Sequence, residues 1–305
     1  MKQHYLPQFY LKGFCVPESP IGYEPYLWVY FRSSQKWQKR APKNLATESD
    51  LYSFIEANGN RNDEIEKMLS VIESRMAEII KTKIEKRQPL NFEDRVTIAI
   101  FVAFMSIRVP AFHEHIGSFV TEVAERIMML QANHPEAFPA LKKHYEQETG
   151  QSLPEWFGPK DLDPSKYIIQ PSKTFLLGLV LSPVNEIAYI FSNMNWTFFF
   201  TSPEVSFITS DWPYCIVNPK LVGSFYGPGL AQRDVEVTVP LTSTVTLFAR
   251  WEKGDSLYKD ARINTVEQVN RKILSYAQKF IIANRIDFPG CELVAKWAQL
   301  KKSSS

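Results

Sequence analysis

The sequence predicts an α+β protein in which a central helical layer packs on a mixed or antiparallel sheet built from N-terminal and C-terminal strands. Three observations predict it. Aromatic and β-branched runs lie at both ends of the 305-residue chain, as in Tyr26-Leu27-Trp28-Val29-Tyr30-Phe31 and Phe280-Ile281-Ile282-Ala283. Helical periodicity fills the middle. The composition, 45% hydrophobic with a net charge of +2, matches that of proteins with a sizeable core and excludes disordered, collagen-like and disulfide-stapled classes. One domain, residues 1–305, is expected: an N-terminal helix and hairpin over 1–60, a helical region over 61–190, and C-terminal strands with a closing helix over 191–305.

A short helix precedes the first strands, and Ser33-Ser34-Gln35-Lys36 supplies polar turn residues between Tyr26–Phe31 and Trp37, which predicts a hairpin. From Asn62 to Lys86 apolar residues fall at Ile65, Met68, Leu69, Ile72, Met76, Ile79 and Ile80 on one stripe, entered through Asn62-Asp63 as capping residues. A second helix starts after Asn91 and ends near Arg108, because Pro110 disfavours continuation. Its run from Val96 to Met105 is apolar on nearly every face, so it is central. Helices are expected over 113–132, 135–147 and 172–190, with a proline-bearing connection over 150–164. Strand-like runs then follow at 196–201, 205–208, 235–240 and 244–251, with a loop from Gly223 to Gly229. A closing helix over 265–279 and a last strand, Phe280 to Ala283, complete the chain before a frayed Lys301–Ser305 tail.

Several function classes lose their residue requirements. The chain has 12 glycines where average usage gives about 21, and no GxGxxG, GxxxxGK[ST] or GxSxG occurs, which argues against dinucleotide, P-loop and nucleophile-elbow chemistry. Cys15, Cys215 and Cys291 are too few and too scattered for a disulfide framework or zinc ribbon, so a reducing compartment is expected. The Met1-Lys2-Gln3-His4 start carries no apolar signal core, and a cytoplasmic location is expected. The longest uncharged stretch, Ile187 to Pro203, is interrupted by Ser192, Asn193 and Asn195, so no membrane span is expected.

The candidate chemistry rests on a few polar residues. Glu66 and Glu73 are seven apart, about 700° on a helix, and project from one azimuth beside the apolar stripe with small Ser70 between them. That flank has room for a ligand, although acids bordering an apolar stripe are also how an amphipathic helix meets water. Arg108 ends an apolar helix and, if buried, needs a carboxylate, a carbonyl or a phosphate; Glu73 is a reasonable partner. Arg108 and His113 fit the Arg-x4-His spacing of HEPN-type ribonucleases, but Val109 replaces the usual polar residue and Pro110 breaks the geometry the pair requires. His4 precedes the aromatic segment Tyr5–Leu11, where a packed imidazole serves as base, ligand or structural donor. Asp211 follows the run Val205–Thr209, at a strand end that either lines a pocket or makes an Asx turn before Pro213. His4, Glu66, Glu73 and Asp211 together offer hard oxygen ligands and one imidazole, which suits magnesium or manganese better than zinc.

Read in order, His4–Phe14, Asn44–Glu48 with Tyr52, Ile65-Glu66 with Ile72-Glu73, the helix ending Arg108-Val109-Pro110, and Phe207–Pro213 with Pro240-Leu241 resemble the bacterial and archaeal family catalogued as domain of unknown function 4238. The likeness spans nearly the whole chain and implies no established reaction. It implies as characteristic polar positions His4, Asn44, Glu48, Tyr52, Glu66, Glu73, Arg108 and Asp211. Trp212 stands where the family often has a polar residue.

Two functions are expected from these residues. The first is a nuclease-like phosphodiesterase acting as a toxin or antiviral defence effector on nucleic acid or a nucleotide. In it His4, Glu73, Arg108 and Asp211 are catalytic, Glu66, Glu73 and Asp211 hold Mg or Mn, and Asn44, Glu48 and Tyr52 bind substrate. The second is a non-catalytic sensor or interaction module whose buried polar cluster is structural, with a protein partner or a second copy of the chain. Lys81, Lys83, Lys86 and Arg87 form the best basic patch for a nucleic acid, and a solvated helix face explains them equally well.

Overall fold

The computed structural model describes residues 2–17, 24–55, 61–202, 204–221, 227–254 and 256–299. Most of the loop expected at Gly223–Gly229 and the whole Lys301–Ser305 tail lie outside the described residues. The chain is an α+β protein and divides into two compact units, Met1–Pro110 with Leu181–Ser305, and Ala111–Val180.

The larger unit begins with β1 (Lys2–His4) and α1 (Gln8–Lys12), followed by the hairpin of β2 (Leu27–Phe31) and β3 (Lys36–Arg40). The hairpin turn places Gln35 at φ 51°, a left-handed conformation that the tight turn requires. Next come β4 (Thr47–Ser49), which pairs antiparallel with β1, and the short β5 (Phe54–Ile55) and β6 (Arg61–Asn62). Helix α2 (Glu64–Ile79) starts where expected: the Asn62 side chain accepts the Glu64 N–H at 2.9 Å. It runs into a π-helical turn over Ile80–Ile84 instead of continuing as regular helix to Lys86. Helix α3 (Phe92–Ile107) opens on a capping box in which Asn91 accepts the Asp94 N–H at 2.8 Å and Asp94 accepts the Asn91 N–H at 3.1 Å. Its second half is buried on every face from Phe101 to Ile107.

The smaller unit is helical. Helix α4 (Pro110–Asn133) starts at its proline, which suits a first helical position, and α5 (Phe138–Thr149) ends on Gly150 at φ 67°. Helix α6 (Lys173–Leu181) spans the unit boundary. The single helix expected over 172–190 is two helices, α6 and α7 (Val184–Ser192), broken at Ser182-Pro183. Together Lys173–Ser192 is long and apolar enough to cross a membrane, in contrast to the expectation of no such stretch, and it is broken in the middle.

The remaining strands are β7 (Asn195–Phe200), β8 (Thr209–Ser210), β9 (Cys215–Val217), β10 (Glu236–Pro240), β11 (Val245–Arg250), β12 (Tyr258–Asp260) and β13 (Phe280–Ala283); α8 (Ile263–Tyr276) precedes β13 and α9 (Leu293–Gln299) follows it. Strand β13 joins the N-terminal hairpin in one antiparallel sheet, ordered β3-β2-β13-β8. All four residues of β13 are buried, as a run of Phe, Ile, Ile and Ala at the centre of a sheet requires. The other C-terminal strands form their own sheet, β12-β7-β11-β10-β9, antiparallel except for the β12–β7 pair. The sheet expected to join N-terminal and C-terminal strands is therefore formed through β13, with β8 beside it, whereas β7, β10 and β11, expected in the same sheet, belong to the second one.

Val205–Ile208, read as a strand, is irregular, and the reason is a side chain. Asn270 of α8 is fully buried, accepts the Ile208 N–H at 2.9 Å and donates to the carbonyls of Ser206 at 3.1 Å and Pro289 at 2.9 Å. The Phe207 N–H goes to the Ser243 carbonyl. With these backbone groups taken, the alternating bonds of a ladder are not available to the segment. Buried groups left without a partner cost roughly 1–3 kcal/mol each, so Asn270→Ala is expected to lower unfolding stability by about 3 kcal/mol or more, read as a shift of the urea midpoint at unchanged slope.

Candidate functional site

Arg108 sits just past the last turn of α3, where its backbone N–H still reaches the Phe104 carbonyl, and its side chain is 3% exposed. A guanidinium so placed must have its charge and its donors matched. It has three partners: Nη1 donates to Glu73 Oε1 at 2.8 Å, Nη2 to the His4 carbonyl at 2.8 Å, and Nε to the Tyr52 hydroxyl at 3.1 Å. The guanidinium also lies 5.5 Å from the centre of the Tyr52 ring. Burial opposes its charge, and Tyr52 and Glu73 beside it more than offset that, so its pKa stays above the ordinary arginine value.

Strand β1 is held over this arginine. Gln3, buried, donates to Ser53 Oγ at 2.7 Å and closely to Glu66 Oε2, and its carbonyl oxygen accepts the Tyr52 N–H at 2.8 Å. The Ser53 hydroxyl donates in turn to Asp63 Oδ1 at 2.6 Å. After His4 the chain is locked by buried Tyr5, Leu6, Tyr10, Leu11 and Phe14. Between β1 and α2 lies a hollow of about 240 Å3, walled by Gln3, His4, Gln8, Glu66, Glu73 and Arg108 among others.

Glu66 and Glu73 do share one azimuth of α2 and face this hollow. Each carries one oxygen bonded to the protein, and among the described residues the other has no protein donor. The His4 ring lies beside the backbone carbonyls of Pro42 and Lys43, and its Nε2 is buried with no partner among the described residues. Burial pushes the imidazole below its ordinary pKa, more strongly than those carbonyls raise it, so the ring is neutral near pH 7.

The expected site assembles in part. His4, Tyr52, Glu66, Glu73 and Arg108 come together. Asn44 does not line the hollow; it is exposed at the end of a 3-10 turn over Pro42–Asn44. Glu48 lies on β4 opposite Gln3, where its charge helps to raise the pKa of Tyr5 and Tyr52, but it does not line the hollow. Asp211 is buried at the edge of the hairpin sheet with both oxygens engaged, accepting the Gln278 N–H at 2.9 Å and the Lys279 N–H at 2.7 Å. Its desolvation raises its pKa despite those bonds. The carboxylates of Glu66, Glu73 and Asp211 therefore do not form the ion site expected of them, and no group of three His, Cys, Asp or Glu side chains suited to a metal occurs among the described residues. The basic patch also thins out, since Arg87 pairs with Asp260 and stacks on Phe200 at 4.4 Å.

Gln3 and Gln8 are the residues that sequence reasoning missed. Gln8 follows Pro7 as the first residue of α1, so a polar side chain at a helix start four residues after His4 was the available signal. Gln3 had none, because burial of a glutamine at the third position follows only from the pairing of β1 with β4.

The geometry defines an α+β protein with a small hollow bordered by two carboxylates and anchored on a sealed arginine. The chain belongs to the family described as Protein of unknown function (DUF4238), whose model matches residues 2–287. No curated protein and no solved structure matches the chain.

Two outcomes are expected. Breaking a buried ion pair costs about 3–5 kcal/mol, and the partial exposure of Glu73 reduces this, so Glu73→Gln is expected to cost about 1–3 kcal/mol and Arg108→Met more, both read by urea unfolding. For His4 the folded pKa lies below that of the unfolded chain, so the unfolded state takes up the extra proton. Stability then falls as pH drops through about 6.5 toward the folded value. Unfolding midpoints between pH 7.5 and 5 should decline more steeply in the wild type than in His4→Gln, and parallel curves would contradict the assignment.

Proposed function

We propose that the hollow between β1 and α2 binds a small ligand rich in hydrogen-bond donors, an amine or a polyol, and that the protein is a ligand-responsive binding module. One observation carries this reading: among the described residues the only cation lining the hollow, Arg108, has its donors committed to Glu73, His4 and Tyr52, while the second oxygens of Glu66 and Glu73 are left to a ligand as acceptors, beside the side chains of Gln8 and Ser70. With Arg108 set against Glu73, Glu66 leaves the hollow net negative, which attracts cations and repels a bare phosphate. A volume of about 240 Å3 fits a ligand of a few heavy atoms. In this reading the ligand-bound state is sensed by a protein partner or a second copy of the chain in the cytoplasm.

A second reading, the nuclease-like phosphodiesterase acting as a toxin or antiviral effector, is favoured by the neutral imidazole of His4 at the wall of the hollow, the protonation state a general base needs. It requires Mg or Mn at Glu66 or Glu73 to reverse the local charge before nucleic acid or a nucleotide enters.

Calorimetric titration separates the two. Saturable binding of putrescine or glycerol, weakened about tenfold or more in Glu66→Gln, is the expected result. Cleavage of a dinucleotide in the presence of Mg or Mn, lost in His4→Gln, with neither putrescine nor glycerol bound, would replace the first reading by the second.

A further inference from the structure

A second hollow, of about 430 Å3, lies between α3 and α7 and shares no lining residue with the first. Its walls are helical stripes: Phe92, Arg95, Val96 and Ala99 recur at three- and four-residue steps on α3, and Asn185, Ala188, Tyr189 and Ser192 do so on α7. Small Ala99 and Ala188 leave the space that larger side chains would fill.

Arg95 marks one end. Its Nη2 donates to the carbonyls of Ser192 at 2.9 Å and Met194 at 3.2 Å, where α7 ends, and its guanidinium stacks 4.0 Å from the centre of the Trp196 ring. This sets the start of α3 beside the end of α7. Nε and Nη1 have no acceptor among the described residues, no carboxylate there pairs with Arg95, and no acidic residue lines the hollow. Burial of the guanidinium lowers its pKa, and no nearby acid compensates. Beyond the arginine the walls are mainly apolar, through Val96, Ala99, Ile100 and Ala188, with Asn185, Ser192 and Asn193 as uncharged polar exceptions. Two large aromatic side chains stand at the rim in contact with water, Phe92 at 80% and Tyr189 at 73% exposed.

We infer that this hollow is a binding site for a small anion with an apolar body, its carboxylate on the free Nε and Nη1 edge of Arg95 and its body between α3 and α7 under Phe92 and Tyr189. The inference does not depend on the function proposed for the other hollow. A half-buried guanidinium with unmatched donors is stabilised most by an anion that can accept two parallel bonds, which a carboxylate does. Apolar walls with one convergent charge are the usual make-up of a small-molecule site of this size. The carboxylate lies near the trailing end of α7, whose dipole is unfavourable to it, so the apolar contacts must supply much of the affinity.

The test uses the full chain and 2-naphthoate, with decanoate and anionic phospholipid vesicles as further arms. Isothermal titration is expected to show one saturable site for 2-naphthoate, with at least about tenfold weaker binding of the neutral 2-naphthamide. Arg95→Gln should reduce 2-naphthoate affinity about tenfold and bring the acid and amide to parity. Val96→Trp, which fills the space from a half-buried position, should abolish binding of both. Decanoate binding at the same site, by competition, identifies a chain as an acceptable body and supports the inference. Vesicle binding without binding of either soluble anion overturns it in favour of a membrane surface. Absence of saturable binding, or unchanged affinity in Val96→Trp, overturns it as well. Should Arg95→Gln lower the melting temperature enough to unfold the protein, the naphthoate to naphthamide ratio in the wild type and the Val96→Trp result still decide.

Discussion

A guanidinium withdrawn from water dictates the arrangement of everything around it, and Arg108 does so here. Its donors reach three separate parts of the chain: a carboxylate on α2, a phenol before β5 and a backbone carbonyl of β1. None of these groups satisfies the charge alone, and each would be expensive to leave buried without it. The end of α3, the face of α2 and the first strand are thereby fixed to one another. The hollow beside them exists because this triad holds β1 off α2 while Gln3 bridges the remaining gap to Glu66 and Ser53.

The same rule governs the C-terminal half, where the groups to be matched belong to the backbone. Asn270 reaches from α8 to three backbone groups in two loops, and Asp211 gathers two N–H groups ahead of β13. Both are polar side chains doing what a strand partner does elsewhere, satisfying backbone groups that the core has cut off from solvent. They hold the approaches to β13, the strand that joins the N-terminal hairpin to the rest of the fold. Asp211 is therefore a positioning carboxylate of the sheet and not a member of the hollow, although its place at a strand end was legible in advance.

What the amino-acid order made legible was what neighbours in sequence decide. The α3 boundaries follow from Asn91 and Pro110, the hairpin from polar residues between two strand-like runs, and the Glu66–Glu73 ridge from helix geometry. The Arg108–Glu73 pair could also be anticipated, because a cation closing an apolar helix has few ways to be satisfied. What stayed hidden was what distant segments decide. Val205–Ile208 has strand composition, but its hydrogen bonds go to Asn270 and to Ser243. Likewise β1, too short to show alternation, becomes a strand only against β4, and Gln3 becomes a site residue only with it. Asp211 was grouped with Glu66 and Glu73 because carboxylates look alike in a sequence; its two backbone donors, almost seventy residues downstream, are what set it apart.

Helix α3 explains why the hollow beside Arg108 and the hollow beside Arg95 differ in charge. Its second half is buried on every face, so a ligand can meet it only toward its ends, and each end carries an arginine. At the trailing end Arg108 is enclosed and matched by Glu73, so the space outside it keeps the negative charge of Glu66. At the leading end Arg95 is held by carbonyls and an indole, neither of which removes its charge, so the space outside it presents donors. The deciding difference is one carboxylate: α2 brings Glu73 to Arg108, while α7 brings only the carbonyls of its last turn to Arg95. One helix thus sets opposite electrostatic preferences at its two ends, through which neighbour each arginine meets.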